Sequence, residues 1–181
     1  MKKENQKGNQ KVMRKGIWWL LILSLLFLPA CTSRQEETKK EAEKTISMPG
    51  EINFFFPEEW LLHEEENTLL AKNTLTGSSI SITCEDLTKK EGGTLIRMED
   101  YLEAIQENLK TSKDYSYRLG PVEMMELYGK QYYSFMAEVQ ELNGTQYFYI
   151  RRIGDRIMVM MITLFGEDTL EGILGYGKAL E

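Results

Sequence analysis

The most regular hydrophobic pattern in the chain is helical. Met98, Tyr101, Leu102, Ile105 and Leu109 recur at intervals of three and four, which puts one apolar face on a helix. Glu99 and Asp100 in its first turn, and Lys110 and Lys113 near its end, suit the helix dipole. Elsewhere the period is two. Ile80, Ile82 and Cys84 alternate with Ser79, Ser81 and Thr83, predicting a strand over 78–84 with one apolar and one polar face. Residues 68–72 read as its neighbour, with Gly77 in the turn, and 52–56 as a short strand halted by Pro57. After the helix, Gly129-Lys130, Asn143-Gly144 and Gly154-Asp155 punctuate an antiparallel meander of four strands, near 122–128, 131–141, 146–153 and 156–165. Asn143-Gly144 suits a type I′ turn. Residues 157–164 are apolar on both faces, so that strand is expected at the centre of the sheet, covered on each side. Residues 168–180 predict a closing helix capped by Asp168, with Leu170, Ile173 and Leu174 as its buried stripe.

The first 47 residues follow a different logic. Lys2, Lys3, Lys7, Lys11, Arg14 and Lys15 precede an uncharged run, Ile17 to Leu28. As a helix that run reaches only ~18 Å, short of the ~30 Å hydrocarbon core, so residues 1–30 read as an export signal and not a membrane span. The signal ends in Leu28-Pro29-Ala30-Cys31, which resembles the lipobox of bacterial lipoproteins. The resemblance implies a diacylglycerol thioether on Cys31, cleavage between Ala30 and Cys31, and a two-chain lipid anchor at the membrane. Residues 31–47 then form the lipidated cysteine and a flexible linker, since 32–47 carry no aromatic residue and only Ile46 as a large aliphatic. A coil of that length reaches roughly 20 Å. The globular domain is expected over 48–181.

Composition narrows the function. With 42% hydrophobic and 28% charged residues the chain is neither wholly disordered nor fibrous. Without the first thirty residues, 16 basic and 27 acidic side chains remain, a net charge of −11 that disfavours nucleic acid and anionic lipid surfaces. Only two cysteines occur. If Cys31 is acylated, Cys84 is an odd thiol, read as a small buried hydrophobe. As a nucleophile it would need His63, the only histidine, and a third group that nothing supplies. The acids Glu58, Glu59, Glu64, Glu65 and Glu66 around His63 read as a solvated loop without calcium-loop spacing. Met158, Met160 and Met161, with Met124, Met125 and Met136, read as core filler rather than a copper site. Phosphate loops, dinucleotide fingerprints, zinc spacings and serine-nucleophile elbows do not occur. No enzyme, metal or cofactor is therefore expected. Tyr128, Tyr132, Tyr133, Tyr147 and Tyr149 leave two readings open. They pair across the sheet, or they form a contact surface of Tyr132, Tyr133, Tyr147 and Tyr149 rimmed by Arg151 and Arg152.

Phe54-Phe55-Phe56-Pro57 with Trp60 resembles the phenylalanine–proline–x–x–tryptophan opening of PsbP-like domains, a family that includes an extrinsic photosystem II subunit and small bacterial lipoproteins. The order of elements over 50–181 is similar too. The resemblance implies an α+β fold, an α/β/α sandwich around an antiparallel sheet, and a binding or assembly role without catalysis. Trp60 and Phe54 are expected in the core. The function expected from these features is a membrane-anchored extracytoplasmic module that binds another protein of the cell envelope, not nucleic acid. The alternative is a receptor for a small molecule or metal ion.

Overall fold

The structure, a computed structural model, describes residues 45–47, 52–65, 67–89 and 95–179; the stretch expected as an export signal, Cys31 and the expected linker up to residue 44 lie outside them. Five strands open the described chain: β1 (Thr45–Ser47), β2 (Ile52–Phe55), β3 (Trp60–Glu65), β4 (Thr68–Asn73) and β5 (Ser79–Asp86). Helix α1 (Met98–Lys110) follows. Then come β6 (Tyr117–Leu119), β7 (Glu123–Leu127), β8 (Lys130–Val139), β9 (Gly144–Ile153) and β10 (Arg156–Leu164). A short helix α2 (Leu170–Leu174) and β11 (Gly177–Ala179) end it.

Eight strands make one antiparallel sheet in the order β3-β4-β5-β10-β9-β8-β6, with β7 also paired to β8. As its two-sided apolar pattern predicts, β10 lies in the middle, between β5 and β9, and residues 157–163 are all buried. Its alternate side chains serve two cores. Met158, Met160 and Ile162 join Ile80, Ile82, Phe54 and Ile173 on the face covered by α2 and by a three-stranded sheet, β1-β2-β11. Ile157, Val159 and Met161 join Phe148, Ile150 and the Tyr101, Leu102, Ile105 and Leu109 stripe of α1 on the other. The molecule is thus a mixed α/β sandwich about an antiparallel sheet.

The aromatic opening is core. Trp60 N–H donates to the Pro57 carbonyl at 3.1 Å, which closes a turn and brings the indole within 5.1 Å of the Phe56 ring. Phe54 stacks on Phe56 at 5.7 Å, and Tyr176 meets Trp60 edge-on at 5.6 Å. Phe54 and Trp60 are both buried, as expected.

Several boundaries differ from the sequence reading. Strand β1 lies within the stretch expected as linker, because its backbone pairs with β2 (Ile46 opposite Phe54) whatever its side chains offer. The acidic run expected as a loop contains β3, an edge strand that keeps Glu64 and Glu65 in solvent. Strand β6, which precedes the four strands that the sequence predicts for the meander, pairs with the end of β8. The closing helix shrinks to five residues. Thr169, not Asp168, caps it by accepting from Gly172 N–H at 3.1 Å, and the chain then turns into β11. Gly172, Gly175 and Gly177 weaken a longer helix. A Cβ on Gly177 would also collide with the Tyr128 phenol, which donates to the Leu174 carbonyl at 2.6 Å. The hairpin turns trade roles as well. Asn143 is left-handed (φ 48°) but follows a helical turn at Gln140–Leu142, so it does not form the expected two-residue turn. Tyr128 (φ 53°) and Gly129 (φ 71°) carry the paired positive φ of a type I′ turn instead.

Candidate ligand cavity

The register of the sheet sorts the helix-side face into cross-strand rows. One row runs Thr68, Thr83, Val159, Ile150, Tyr133 across β4, β5, β10, β9 and β8. The next runs Leu70, Ser81, Met161, Phe148, Phe135. The third runs Lys72, Ser79, Thr163, Gln146, Ala137. Under α1 the face is apolar, with Phe135 and Phe148 stacked at 4.6 Å. Toward the β4–β5 turn it becomes polar, and there Gln146 amide N–H donates to the Thr163 hydroxyl at 3.5 Å.

That polar end is the floor of a cavity of about 500 Å³, within the range of small-molecule sites. Ser79, Ser81, Thr163 and Gln146 supply hydroxyls and an amide; Leu70 and Met161 supply apolar surface. Tyr115 and Tyr117, from the segment that leaves α1, stand on one side with Val139 and Leu142. No residue of α1 lines it. Phe165 forms a further wall, and its position depends on Gly144. A Cβ there would stand 2.7 Å from Phe165 Cε1, so the ring occupies the room that the missing side chain leaves. The Ser78 hydroxyl fixes the Phe165 backbone twice, donating to its carbonyl at 3.1 Å and accepting from its N–H at 2.8 Å.

The lip is the β4–β5 turn. Gly77 has φ +86°, a conformation open to glycine, and Asn73 Oδ1 accepts from Leu75 N–H at 2.9 Å. Asp168 accepts from the Thr76 hydroxyl and from the Asn73 amide, tying this turn to the loop after β10. Leu75, held at the lip, is 82% exposed and lines the cavity. Burial pushes the Tyr117 phenol up to about 12, with the neighbouring Tyr115, Asp114 and Glu141 acting in the same direction, so it stays neutral.

The residues singled out from the sequence lie elsewhere. Tyr132 and Tyr149 are buried in the first core, so they cannot form the expected contact surface. Tyr147 is partly buried against that same core, while Tyr133 packs against the other one, across the sheet. The cause is the strand period: adjacent residues on a strand face opposite sides, and both sides here are covered. Arg151 lies over the Tyr132 ring at 5.9 Å, and Arg152 donates to the carbonyls of Ile96 at 2.8 Å and Gly154 at 3.0 Å. Cys31 lies outside the described residues. Cys84 and His63 are on opposite faces, since Cys84 pairs with Met158 of the first core whereas His63 pairs with Leu70 of the cavity floor. The methionines divide likewise, Met158 and Met160 in one core and Met161 in the other. Among the described residues no group of three or more His, Cys, Asp or Glu is placed to hold a metal ion.

A second depression of about 410 Å³ lies at the far end of the sheet, between Cys84, Asp86, Thr88, Ile153, Asp155 and Arg156. Asp86 there serves its own turn. It accepts from the Thr88 hydroxyl and N–H at 2.6 and 2.9 Å, which holds its carboxyl below the usual range.

No family model matches the chain, and no curated protein does. Among solved structures it is similar to the cyanobacterial PsbP protein CyanoP of Synechocystis sp. PCC 6803, at 12% identity and a TM-score of 0.49 over 81% of this chain and 98% of that one. It is also similar to LpqN of Mycobacterium tuberculosis, described as involved in cell envelope biogenesis, at 12% identity and a TM-score of 0.41 over 76% and 90%. A structure from Bacteroides thetaiotaomicron VPI-5482 is 14% identical with a TM-score of 0.40, over 74% of this chain and 50% of that one. Among the described residues no helix is long and apolar enough to cross a membrane.

Proposed function

We propose that this chain is a lipid-anchored extracytoplasmic module of the cell envelope that binds a small amphipathic molecule in the cavity at the end of its sheet and carries out no chemistry on it. The observation behind the binding role is the cavity itself: about 500 Å³ of concave space with apolar walls and a hydroxyl-bearing floor. Of the two readings that the sequence leaves open, the protein partner rests on the lipobox, the linker and the lack of catalytic sets, and two of the tyrosines expected to contact it, Tyr132 and Tyr149, are buried. The small-molecule reading draws its support from the cavity. Support for the anchor remains the sequence alone, with its basic stretch, apolar run and Leu28–Cys31 motif.

Two experiments test this. In the full chain reconstituted in phosphatidylcholine vesicles, decanol or decanoate at 100-fold excess over its dissociation constant raises stability by ~2.7 kcal/mol. Ser81→Trp, which fills the floor, abolishes that shift. No shift for any small amphiphile refutes the cavity reading. For the anchor, native protein takes up labelled palmitate and Cys31→Ala does not, and only the native form stays with the membrane. A Cys31→Ala chain held as firmly as the native one, with no label in either, refutes it.

A further inference from the structure

The chain enters its fold at the end of the molecule that carries the cavity lip. Thr45, the first residue of β1, stands opposite Phe55 at the close of β2. Four residues on, the Glu59 carbonyl accepts from the Thr74 N–H and from the Thr74 hydroxyl, both at 3.0 Å, which joins that turn to the lip. Because β1 runs antiparallel to β2, the chain before Thr45 departs from this same end. From Cys31 to Thr45 is a stretch that cannot span more than about 50 Å.

Two exposed leucines stand at that end. Leu75, in the lip, is 82% exposed, and Leu61, on the edge strand β3, is 65% exposed. Leu61 is opposite Lys72, so it extends the third row of the cavity floor to the open margin of the sheet. The turn that carries Leu75 is fixed by Asn73, which accepts from its N–H, and by Asp168, which accepts from the Thr76 hydroxyl. Resting on the anchor reading above, we infer that Leu75 and Leu61 dip into the surface of the bilayer that holds the anchor, a zwitterionic lipid surface, and so bring the cavity lip against the membrane. Two leucine side chains are a small fraction of the ~800 Å² that each partner gives to a stable protein interface, whereas a bilayer accepts any apolar protrusion. Alone they would bind weakly. The anchor makes their contact an intramolecular event, which raises its effective concentration without further contacts. Charge gives no help, since 27 acidic side chains outnumber 16 basic ones beyond residue 30.

The test places an indole at Leu75 or Leu61 in the full chain, reconstituted in phosphatidylcholine vesicles whose acyl chains carry a nitroxide quencher. Emission is taken as the difference from native protein, which has Trp18, Trp19 and Trp60 of its own. Leu75→Trp and Leu61→Trp are quenched and shifted to the blue. Met124→Trp, at a 54% exposed position on β7 at the other side of the sheet, is not. Adding Leu75→Asp to Leu61→Trp abolishes the quenching while the protein still sediments with the vesicles, and thermal melting shows the fold intact. Protein that sediments with the vesicles but leaves Leu75→Trp and Leu61→Trp unquenched overturns the contact and leaves the anchor standing. Equal quenching of Met124→Trp, or quenching of Leu61→Trp that survives Leu75→Asp, also overturns it. A blue shift without quenching means that a second copy of the chain covers the leucines, and overturns it as well. Ser81→Phe fills the cavity without adding an indole and leaves the quenching unchanged. Quenching lost in that variant means that labelled lipid had entered the cavity, which overturns the surface contact and supports the cavity reading. Native protein that does not sediment with vesicles at all overturns the anchor and this inference together.

Discussion

Phe54 and Gly144 show how differently single positions carry this molecule. Phe54 is fully buried and touches two other rings, so Phe54→Ala costs about 3–5 kcal/mol in urea unfolding. The aromatic spacing of the opening motif makes such a residue legible as core. Gly144 matters by what it lacks. Gly144→Ala forces a methyl group against Phe165 and costs about 1–3 kcal/mol by overpacking, measurable in the same way, with weaker decanoate binding as the wall shifts. Nothing in the local sequence announces this, because Phe165 is 21 residues away and meets Gly144 only once β9 and β10 have paired. The tyrosines teach the same lesson. Their clustering is plain in the sequence, but which of them face each core depends on strand parity and on cover from both sides.

Elements with a strong period were legible, and those held by backbone pairing alone were not. Helix α1, β5 and β10 stand where the pattern puts them. Strands β1, β6 and β11 are three residues each, too short to show an alternation, and exist because a neighbour offers its edge. The polar side of β5, the face of Ser79, Ser81 and Thr83, is legible in the alternation. That it floors a cavity was not readable, since this depends on where α1 ends its cover and on strands more than sixty residues later. The lip is the element most open to test. Asp168→Ala removes the acceptor shared by Thr76 and Asn73, at a cost of about 1.5–3 kcal/mol. Amide exchange at residues 74–77 then accelerates more than exchange in α1 does.

At the scale of the whole molecule, the buried phenols set the alkaline limit of the fold. Tyr117 and Tyr149 are both pushed up to about 12 by burial, and Tyr101 and Tyr128 are also raised, for the same first reason. An unfolded tyrosine ionises near 10. Between those values the unfolded chain releases protons that the native one keeps, so the stability these groups contribute is complete below about pH 10 and is lost as pH climbs toward 12. A spectrophotometric phenolate titration therefore shows a late, cooperative step that coincides with loss of circular dichroism. Topology has a further consequence. The central seam joins β5 to β10, so its two halves are separated by some seventy residues of chain. A polypeptide made from its N-terminus cannot zip that seam until residues 156–164 have emerged, and until then one margin of β5 is a bare template for any passing strand. Ribosome-bound or truncated forms ending before residue 156 accordingly clump rather than fold, which makes the arrival of residues 156–164 decisive for everything assembled ahead of them.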